Sequence, residues 1–566
     1  MPHEVIRDPV QHDISITALE RAVIDTPSFQ RLRWLNQLGP TQMVYPGAVH
    51  TRFMHSLGTL QAAENLIQTA NRNFKNYGRE ACPYLMQIDP YPHLLVRLCA
   101  LLHDVAHMPF GHTLEDEGNL ADPEWEDKTR ADEWLGPKST ILGTIGRFLI
   151  DSGISEAAGH AFAADVSKYV LFKADPQDLE FPFAVDLVGN TLCADLLDYL
   201  YRDMYFCGLP ERCGDRVIKY VAVVRVKRPE GEGETDLKRL LPSDNSKLGK
   251  GRVVLLTYRF EKEHPAGGHM KPVLKPEIIS EAIDMLRRRY ALAEKVYFHR
   301  TKLAASAMLI SAMGSASFKI GEIYKISDSE LLSKLSAEGP DSRTKHIADA
   351  YLTRRLFKPV YRIAYREECD SDAESKKLWE KYEMFRDPRW RRSVEEKLER
   401  YHDLPPGSIC VYCPDRKMNL KEFEMLVQSQ PNGEIKKLAH ILDRGWKTEM
   451  EAINQRFAPL WSLFVFVDPA ALDASAINNP RVRNLSAACE TLFGFPNDIL
   501  ELQHTGRPIR EQIADRVVRD HQKRTGAAVP HDVYEELVAA PHRSEQEDLL
   551  AGMEKHLSEI MGKPST

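Results

Sequence analysis

Residues 93–107, His-Leu-Leu-Val-Arg-Leu-Cys-Ala-Leu-Leu-His-Asp-Val-Ala-His, are apolar on almost every side until they end in an adjacent imidazole and carboxylate. A helix with no polar face has nothing to offer water, so it has to run inside a domain and be wrapped by other elements. Pro109 and Gly111 stop it just past the histidines. Its end gathers His103, Asp104, His107 and His112 into one short stretch. On such a helix His103 and His107 stand four apart, which places both imidazoles on one face and toward one cavity.

A divalent cation needs more ligands than the His103-Asp104 pair supplies. The chain offers His55 upstream, in His50-Thr-Arg52-Phe-Met-His55-Ser-Leu-Gly, and Asp195 downstream, in Cys193-Ala-Asp195-Leu-Leu-Asp198-Tyr199. Together His55, His103, Asp104 and Asp195 read as the ligands of one ion. Three other His-Asp pairs serve as internal controls: His12-Asp13, His402-Asp403 and His531-Asp532 lack that context. Asp195, Tyr199 and Asp203 are spaced i, i+4, i+8, a polar stripe that can line a pocket.

With 566 residues, 43% hydrophobic and 28% charged, the chain is expected to bury a large core and to exceed a single domain. Its net charge of -7 leaves room for a local basic pocket but argues against a broad electrostatic surface for nucleic acid. No apolar run approaches the roughly 20 residues that cross a bilayer, and Met1-Pro-His-Glu-Val-Ile-Arg-Asp lacks the pattern of a signal peptide. A cytoplasmic location without membrane contact is the expectation. Nine cysteines without regular spacing make no disulfide framework. Cys410-Val-Tyr-Cys413 is a lone pair inside a strand-like apolar run, which favours a structural role over zinc or redox chemistry.

The chain reads as mainly helical up to about residue 210. Strands are expected over Arg216–Val226 and Arg252–Phe260, separated by a charged loop. Helical periodicity returns from Glu277 to about Met313, and Ser327, three residues before Glu330, predicts a capped helix start. The expectation is a mainly α fold. Residues 1–366 would form a helical core with an inserted hairpin at about 216–260, and residues 367–566 a mixed α/β region of no legible role.

These motifs resemble those of the HD-domain phosphohydrolase superfamily, and specifically its metal-dependent dNTP triphosphohydrolases. The resemblance rests on Ile24-Asp25-Thr-Pro-Ser-Phe-Gln30-Arg-Leu-Arg33-Trp-Leu-Asn-Gln37-Leu38-Gly, Tyr45 to Gly58, His103 to His112, and Asp195-Leu-Leu-Asp-Tyr199-Leu-Tyr-Arg-Asp203, and extends over residues 5–365. It implies an HD-domain helical core that hydrolyses dNTPs at the α-phosphorus, releasing deoxynucleoside and triphosphate. His55, His103, Asp104 and Asp195 would hold one divalent ion: Mn, Fe, Mg or Zn. His107 and His112 would be the acid-base groups, with Glu115 orienting such a histidine. Arg52 and Arg289 match positions that contact phosphates. Gln37, Leu38, Asp203 and Tyr297 match positions around the sugar, with Tyr199 beside them. Tyr297 equally fits a buried core aromatic.

The resemblance further implies a homo-oligomer, dimer or tetramer, with an activating nucleotide at Asp25, Gln30 and Arg33, although these residues fit a plainly packed helix as well. This chain departs from the pattern at Leu196, where relatives carry a lysine, and at Phe298, where they carry a polar residue. Glu126–Glu133 lacks a supporting histidine, and Glu4 stands near the place of a phosphate-binding lysine. Two other readings stay open. One is a different HD phosphoesterase acting on nucleic-acid ends, cyclic nucleotides or ribonucleotides. The other is a nucleotide-sensing assembly protein with little turnover.

Overall fold

The structure, a computed structural model, describes residues 4–77, 84–118, 133–170, 179–190, 192–209, 216–225, 250–262, 270–314, 320–337, 342–365, 373–415, 425–428, 435–441, 444–474, 478–540 and 548–561. The fold is mainly α-helical. Its organising pair is the 26-residue helix Arg52–Tyr77 and the apolar helix Pro90–Leu102, which pack against each other. The second enters through Pro90 and Pro92, residues suited to a first turn whose N–H groups lack helical partners. Leu95, Val96, Leu98, Ala100, Leu101 and Leu102 are all fully buried, as an all-round apolar helix requires. The helix Ala194–Phe206 lies along the other flank of Arg52–Tyr77.

The apolar helix ends at Leu102, not at His107. His103 is its C-cap and residues 103–106 form turns, so His103 and His107 do not share a helical face. Pro109 also removes a donor just beyond these turns. In a continued helix the N–H at 109 would close on the carbonyl of Val105, and Pro109 has none. Arg31 supplies the replacement, its Nη2 donating to the carbonyls of Val105 and His107, both at 2.9 Å. The expected box at Ser327 does form: Glu330 N–H donates to Ser327 Oγ at 3.1 Å, and Ser327 N–H to Glu330 Oε2 at 2.7 Å.

Strands β1 (Glu4–Asp8) and β2 (His12–Ile16) make an N-terminal hairpin. The expected insertion is more divided than a single hairpin. Val217–Tyr220 is a 3-10 turn, β3 is Val221–Arg225, β4 is Gly251–Leu256, and Thr257 separates β4 from β5 (Tyr258–Lys262), which pairs with β6 (Met270–Leu274). The loop between β3 and β4 lies outside the described residues. Both larger sheets draw strands from either side of residue 366. β9 (Leu426–Gln428) joins β4 in parallel and carries β10 (Ile435–Lys437), while β7 (Lys358–Ala364) flanks β11 (Ser462–Val467), with β8 (Ile409–Tyr412) on its other edge.

Every residue of β8 is buried, because one face packs into the first core and the other into a second core of C-terminal helices. This alternation sends Cys410 to the first core and Cys413 to the second, so the two thiols do not converge on one ion. Arg343 closes the junction, donating to both oxygens of Glu399 at 2.7 and 2.6 Å, to Glu395 and to the carbonyl of Ile409. Among the described residues no helix is long and apolar enough to cross a membrane.

Candidate active site

The four residues expected to hold an ion meet between three helices. His55 comes from the first turn of Arg52–Tyr77, His103 and Asp104 from the end of Pro90–Leu102, and Asp195 from the start of Ala194–Phe206. His55 Nε2 lies 3.1 Å from His103 Nε2 and 3.1 Å from Asp195 Oδ1. His103 Nε2 is 3.7 Å from Asp195 Oδ1 and 3.5 Å from Asp104 Oδ1. The rear nitrogens are already spoken for: His55 Nδ1 sits 2.9 Å from Asp198 Oδ2, and His103 Nδ1 2.8 Å from the carbonyl of Ala100. A carboxylate and a carbonyl only accept, so both rings carry hydrogen on Nδ1 and turn the Nε2 lone pairs toward each other. Two lone pairs at that distance repel unless a positive charge lies between them. The donor set therefore fits a divalent cation.

Electrostatics agree. Burial pushes His55 toward neutrality, but hydrogen bonds to Asp195 and Asp198 override it and raise its pKa. Without an ion a proton on Nε2 would take the place of the cation, and with an ion bound Nε2 keeps its lone pair; either way this point in the fold favours positive charge. Burial opposes ionisation of Asp104 as well, yet Arg52, His103 and His107 keep it well below the usual carboxylate range. Asp195 is lowered in the same sense, with burial opposed by His55 and His103.

Asp198 is the residue that sequence reasoning passed over. Fully buried, it accepts from Arg202 Nε at 2.7 Å and Nη2 at 3.0 Å as well as from His55, and Arg202 in turn grips Asp8. Burial works against its charge, but Arg202 and His55 hold it far below the ordinary range. Gly58 makes room for this buttress. A Cβ there would lie 2.0 Å from Asp198 Oδ1 and 2.3 Å from Arg202 Nη2.

His107 and His112 stand beside the cluster with ring centroids 4.8 Å apart. His107 is held on both sides, by Asp104 Oδ1 at 3.1 Å and Glu115 Oε2 at 2.5 Å. Burial and Arg52 lower its pKa, but Glu115 and Asp104 raise it more, and the net direction is upward. Among the described residues His112 is held on one side only, by Asp116 Oδ2 at 2.6 Å, and its side chain is 60% exposed. Glu115 thus orients His107, and Asp116 orients His112. A π-turn over Thr113–Glu117 deals out three consecutive carboxylates. The third, Glu117, turns inward to Lys302 and to the Tyr412 hydroxyl at 3.0 Å, and Arg391 donates to the carbonyl of Gly118 at 2.5 Å. The i, i+4 spacing of His112 and Asp116 was the available signal.

Arg52 is fully buried and donates Nη1 to Asp104 at 2.6 Å, whereas Nε and Nη2 have no hydrogen-bond partner among the described residues. Asp203 is shared, Oδ1 lying 2.8 Å from His50 Nε2 and Oδ2 accepting the Tyr297 hydroxyl at 2.6 Å. Leu38, Tyr199 and Tyr297 pack around Leu200, Met204 and Val296. Burial pushes the phenols of Tyr199 and Tyr297 up, and the Arg289 charge acts in the opposite sense on both. Gln37 Oε1 and His50 Nδ1 are buried without a partner among the described residues.

The remaining residues scatter more. Leu196 is buried in the core, and Phe298 turns to Phe457, ring centroids 5.9 Å apart. Gln30 Oε1 accepts from Arg33 Nε at 2.8 Å, and the Arg33 guanidinium lies 3.6 Å from the Phe53 ring centre. Asp25 is exposed, 3.5 Å from Arg21, which also pairs with Glu4. Most of the stretch 126–133 lies outside the described residues; Glu133 pairs with Lys325 at 2.7 Å.

The same architecture is found in solved structures. It matches a phosphohydrolase from Bacteroides thetaiotaomicron with a TM-score of 0.52 at 18% identity, covering 82% of this chain and 99% of that one. A hypothetical protein from Aquifex aeolicus matches with a TM-score of 0.51 at 19% identity, covering 83% and 97%. The family described as the HD associated region matches residues 269–474. The fold is that of the mainly α-helical HD phosphohydrolase structures, and in sequence the chain is similar to proteins named as dNTP triphosphohydrolases. It is 40% identical over 250 residues to the deoxynucleoside triphosphate triphosphohydrolase SAMHD1 of Bos taurus, covering 39% of each chain. It is 26% identical over 424 residues to SAMHD1 of Danio rerio, covering 67% of this chain and 59% of that one. An uncharacterized protein of Methanocaldococcus jannaschii is 27% identical over 361 residues, covering 62% and 57%. These matches span about two fifths to three fifths of the relatives' own lengths.

Proposed function

We propose that this chain hydrolyses deoxynucleoside triphosphates to deoxynucleoside and inorganic triphosphate, by attack of water at the α-phosphorus. The observation that carries this reading is the meeting of a four-donor cluster, His55, His103, Asp104 and Asp195, with the buried Arg52, whose Nε and Nη2 have no partner among the described residues. A divalent ion on those donors, Mn, Fe, Mg or Zn, would supply Lewis acidity at a phosphoryl oxygen. Arg52 and Arg289 offer planar donors to phosphate oxygens. His112, fixed at Nδ1 by Asp116 and without a partner on its other edge among the described residues, would give a proton to the departing 5′-oxygen. His107, gripped by Glu115 and Asp104, orders the neighbouring proton network. On the nucleoside side Gln37 and Asp203 would take the 3′-hydroxyl, and the Tyr297 ring, with Tyr199 and Leu38, would crowd a 2′-hydroxyl. Residues 1–366 would form the catalytic unit. An activating nucleotide at Asp25, Gln30 and Arg33 in a homo-oligomer belongs to the same reading.

One observation favours a second reading. Donor atoms of His107, His112 and Glu115 also lie within 4.8 Å of one another, a set able to hold a second ion, as a binuclear phosphoesterase of nucleic-acid ends, cyclic nucleotides or ribonucleotides would need. The deciding experiment incubates metal-loaded protein with the four dNTPs, and separately with the four NTPs, and resolves the products by chromatography while metal is counted per chain. Deoxynucleoside plus intact triphosphate from dNTPs alone, with one ion, is the expected result. Nucleoside monophosphate or orthophosphate, with two ions, would transfer the assignment to the second reading.

A further inference from the structure

Asp328 opens the helix Asp328–Ala337, more than 200 residues beyond the histidine turn, yet its carboxylate lies inside the site's framework and is 6% exposed. Its two oxygens hold two different loops: Oδ2 accepts from the N–H of Asn36 at 2.8 Å, and Oδ1 from the N–H of Phe110 at 2.8 Å. Asn36 precedes Gln37 and Leu38, and its segment is tied to the metal side by hydrogen bonds from Gln37 N–H to the carbonyl of His50 and from Arg52 N–H to that of Leu35. Phe110 lies between His107 and His112.

The second grip falls on strained backbone. Phe110 has φ of 59° and Gly111 φ of 45°. Glycine occupies the left-handed region freely, but a phenylalanine stays there only when its surroundings over-determine it. Those surroundings are the Asp328 oxygen on its N–H, the Tyr351 ring 6.3 Å away, and Arg31 on the carbonyls of Val105 and His107. Gly111 is needed beside it, since a Cβ there would lie 2.1 Å from Arg52 Nη2. Only a carboxylate suits the task, because two converging N–H groups need two acceptor oxygens, and an amide side chain would aim its own NH2 at one of them. Burial raises the pKa of this carboxyl to about 6, against the Asn36 and Phe110 amides and the Arg52 and Arg31 charges, which pull it down.

We propose that Asp328 is a positioning residue that couples the loop carrying Gln37 and Leu38 to the turn carrying His107 and His112, so that the two halves of the site order together. The names of the two halves rest on the function proposed above; the coupling does not.

The test is native-state hydrogen exchange on the full, metal-loaded chain, followed by kinetics. In the unaltered protein the Asn36 and Phe110 amides should show protection factors equal to within about threefold, as groups released by one opening event do. In Asp328→Asn both should exchange on the order of tenfold faster, while amides in the middle of Arg52–Tyr77 are unchanged. With metal content unaltered, kcat should fall and KM rise, the product of the two changes reaching on the order of 100-fold. Asp328→Glu, which keeps both oxygens, should recover part of each. Unequal protection in the unaltered protein, or a response at only one amide in the variant, overturns the coupling. A folded Asp328→Asn protein with unchanged kcat and KM overturns the positioning role. Should Asp328→Asn not fold, equality of protection in the unaltered chain decides. Should the unaltered chain leave dNTPs intact, the proposed function falls and the exchange data still judge Asp328.

Discussion

On the metal side of the site each imidazole has its rear nitrogen fixed by the protein, His55 by Asp198 and His103 by the carbonyl of Ala100. On the side proposed to take the nucleoside, Gln37 Oε1 and His50 Nδ1 are buried with no partner among the described residues. The difference separates two kinds of preorganisation. An ion is bound by lone pairs that must already point at it, so its ligands are locked from behind. A substrate brings its own donors and acceptors, so its pocket keeps valences open at an energetic cost in the free protein.

The contrast breaks first at the ligands. His55→Ala or Asp195→Ala should abolish metal retention and activity together, read by elemental analysis beside product formation; activity surviving in either variant removes the metal assignment. His112→Ala should keep the metal and lower kcat by about 10²- to 10⁴-fold, the usual worth of a positioned acid. Normal turnover would take His112 out of the chemistry. Asp198→Asn touches no ligand atom of the ion, so a purely local view expects nothing. The rear-locking argument expects metal affinity to weaken by about 10- to 100-fold, measured by competition with a chelator. Tyr297→Phe is the smallest change, because the ring stays and only the hydrogen bond to Asp203 is lost. KM should rise by about three- to tenfold with kcat nearly unchanged. A larger fall in kcat would mean that the nucleoside side is as rigidly coupled to the chemistry as the metal side.

Much of this arrangement was legible in the sequence, and what escaped has a common physical origin. The convergence of His55, His103, Asp104 and Asp195 follows from residue types with few other reasons to meet. The capping box at Ser327 is a local hydrogen-bond pattern, which a linear reading can see. The turns beyond Leu102 were misjudged as helix; there Pro109 shows only that a donor is missing, whereas its replacement comes from Arg31, far back in the chain. Asp198 escaped because the stripe through Asp195, Tyr199 and Asp203 ranks it as an off-face residue, while its partners lie at His55, Arg202 and Asp8. The sheet across residue 366 was invisible for the same reason: β4 and β9 pair residues such as Leu255 and Val427, with nothing local to announce it.

The junction closed by Arg343 has a consequence for how the fold responds to protons. One guanidinium serves two buried carboxylates there. Burial, reinforced by the Glu395 charge, outweighs Arg343 and the Ile409 and Gly407 amides, and the net effect raises Glu399 to about 7. An unfolded glutamate titrates near 4.3, so between about 4.3 and 7 the folded chain carries a proton that the unfolded chain has released. This contribution is fully present below the lower value and is lost as pH rises through the higher one, a span worth on the order of 3 kcal/mol. The contribution of this one carboxyl is therefore favoured by mild acid, opposite in sign to that of the salt-bridged Glu64, which burial raises but His93 and Arg97 bring down to about 2. Thermal melts of Glu399→Gln, which carries no titrating carboxyl, should lose that acid-side gain while the unaltered chain keeps it.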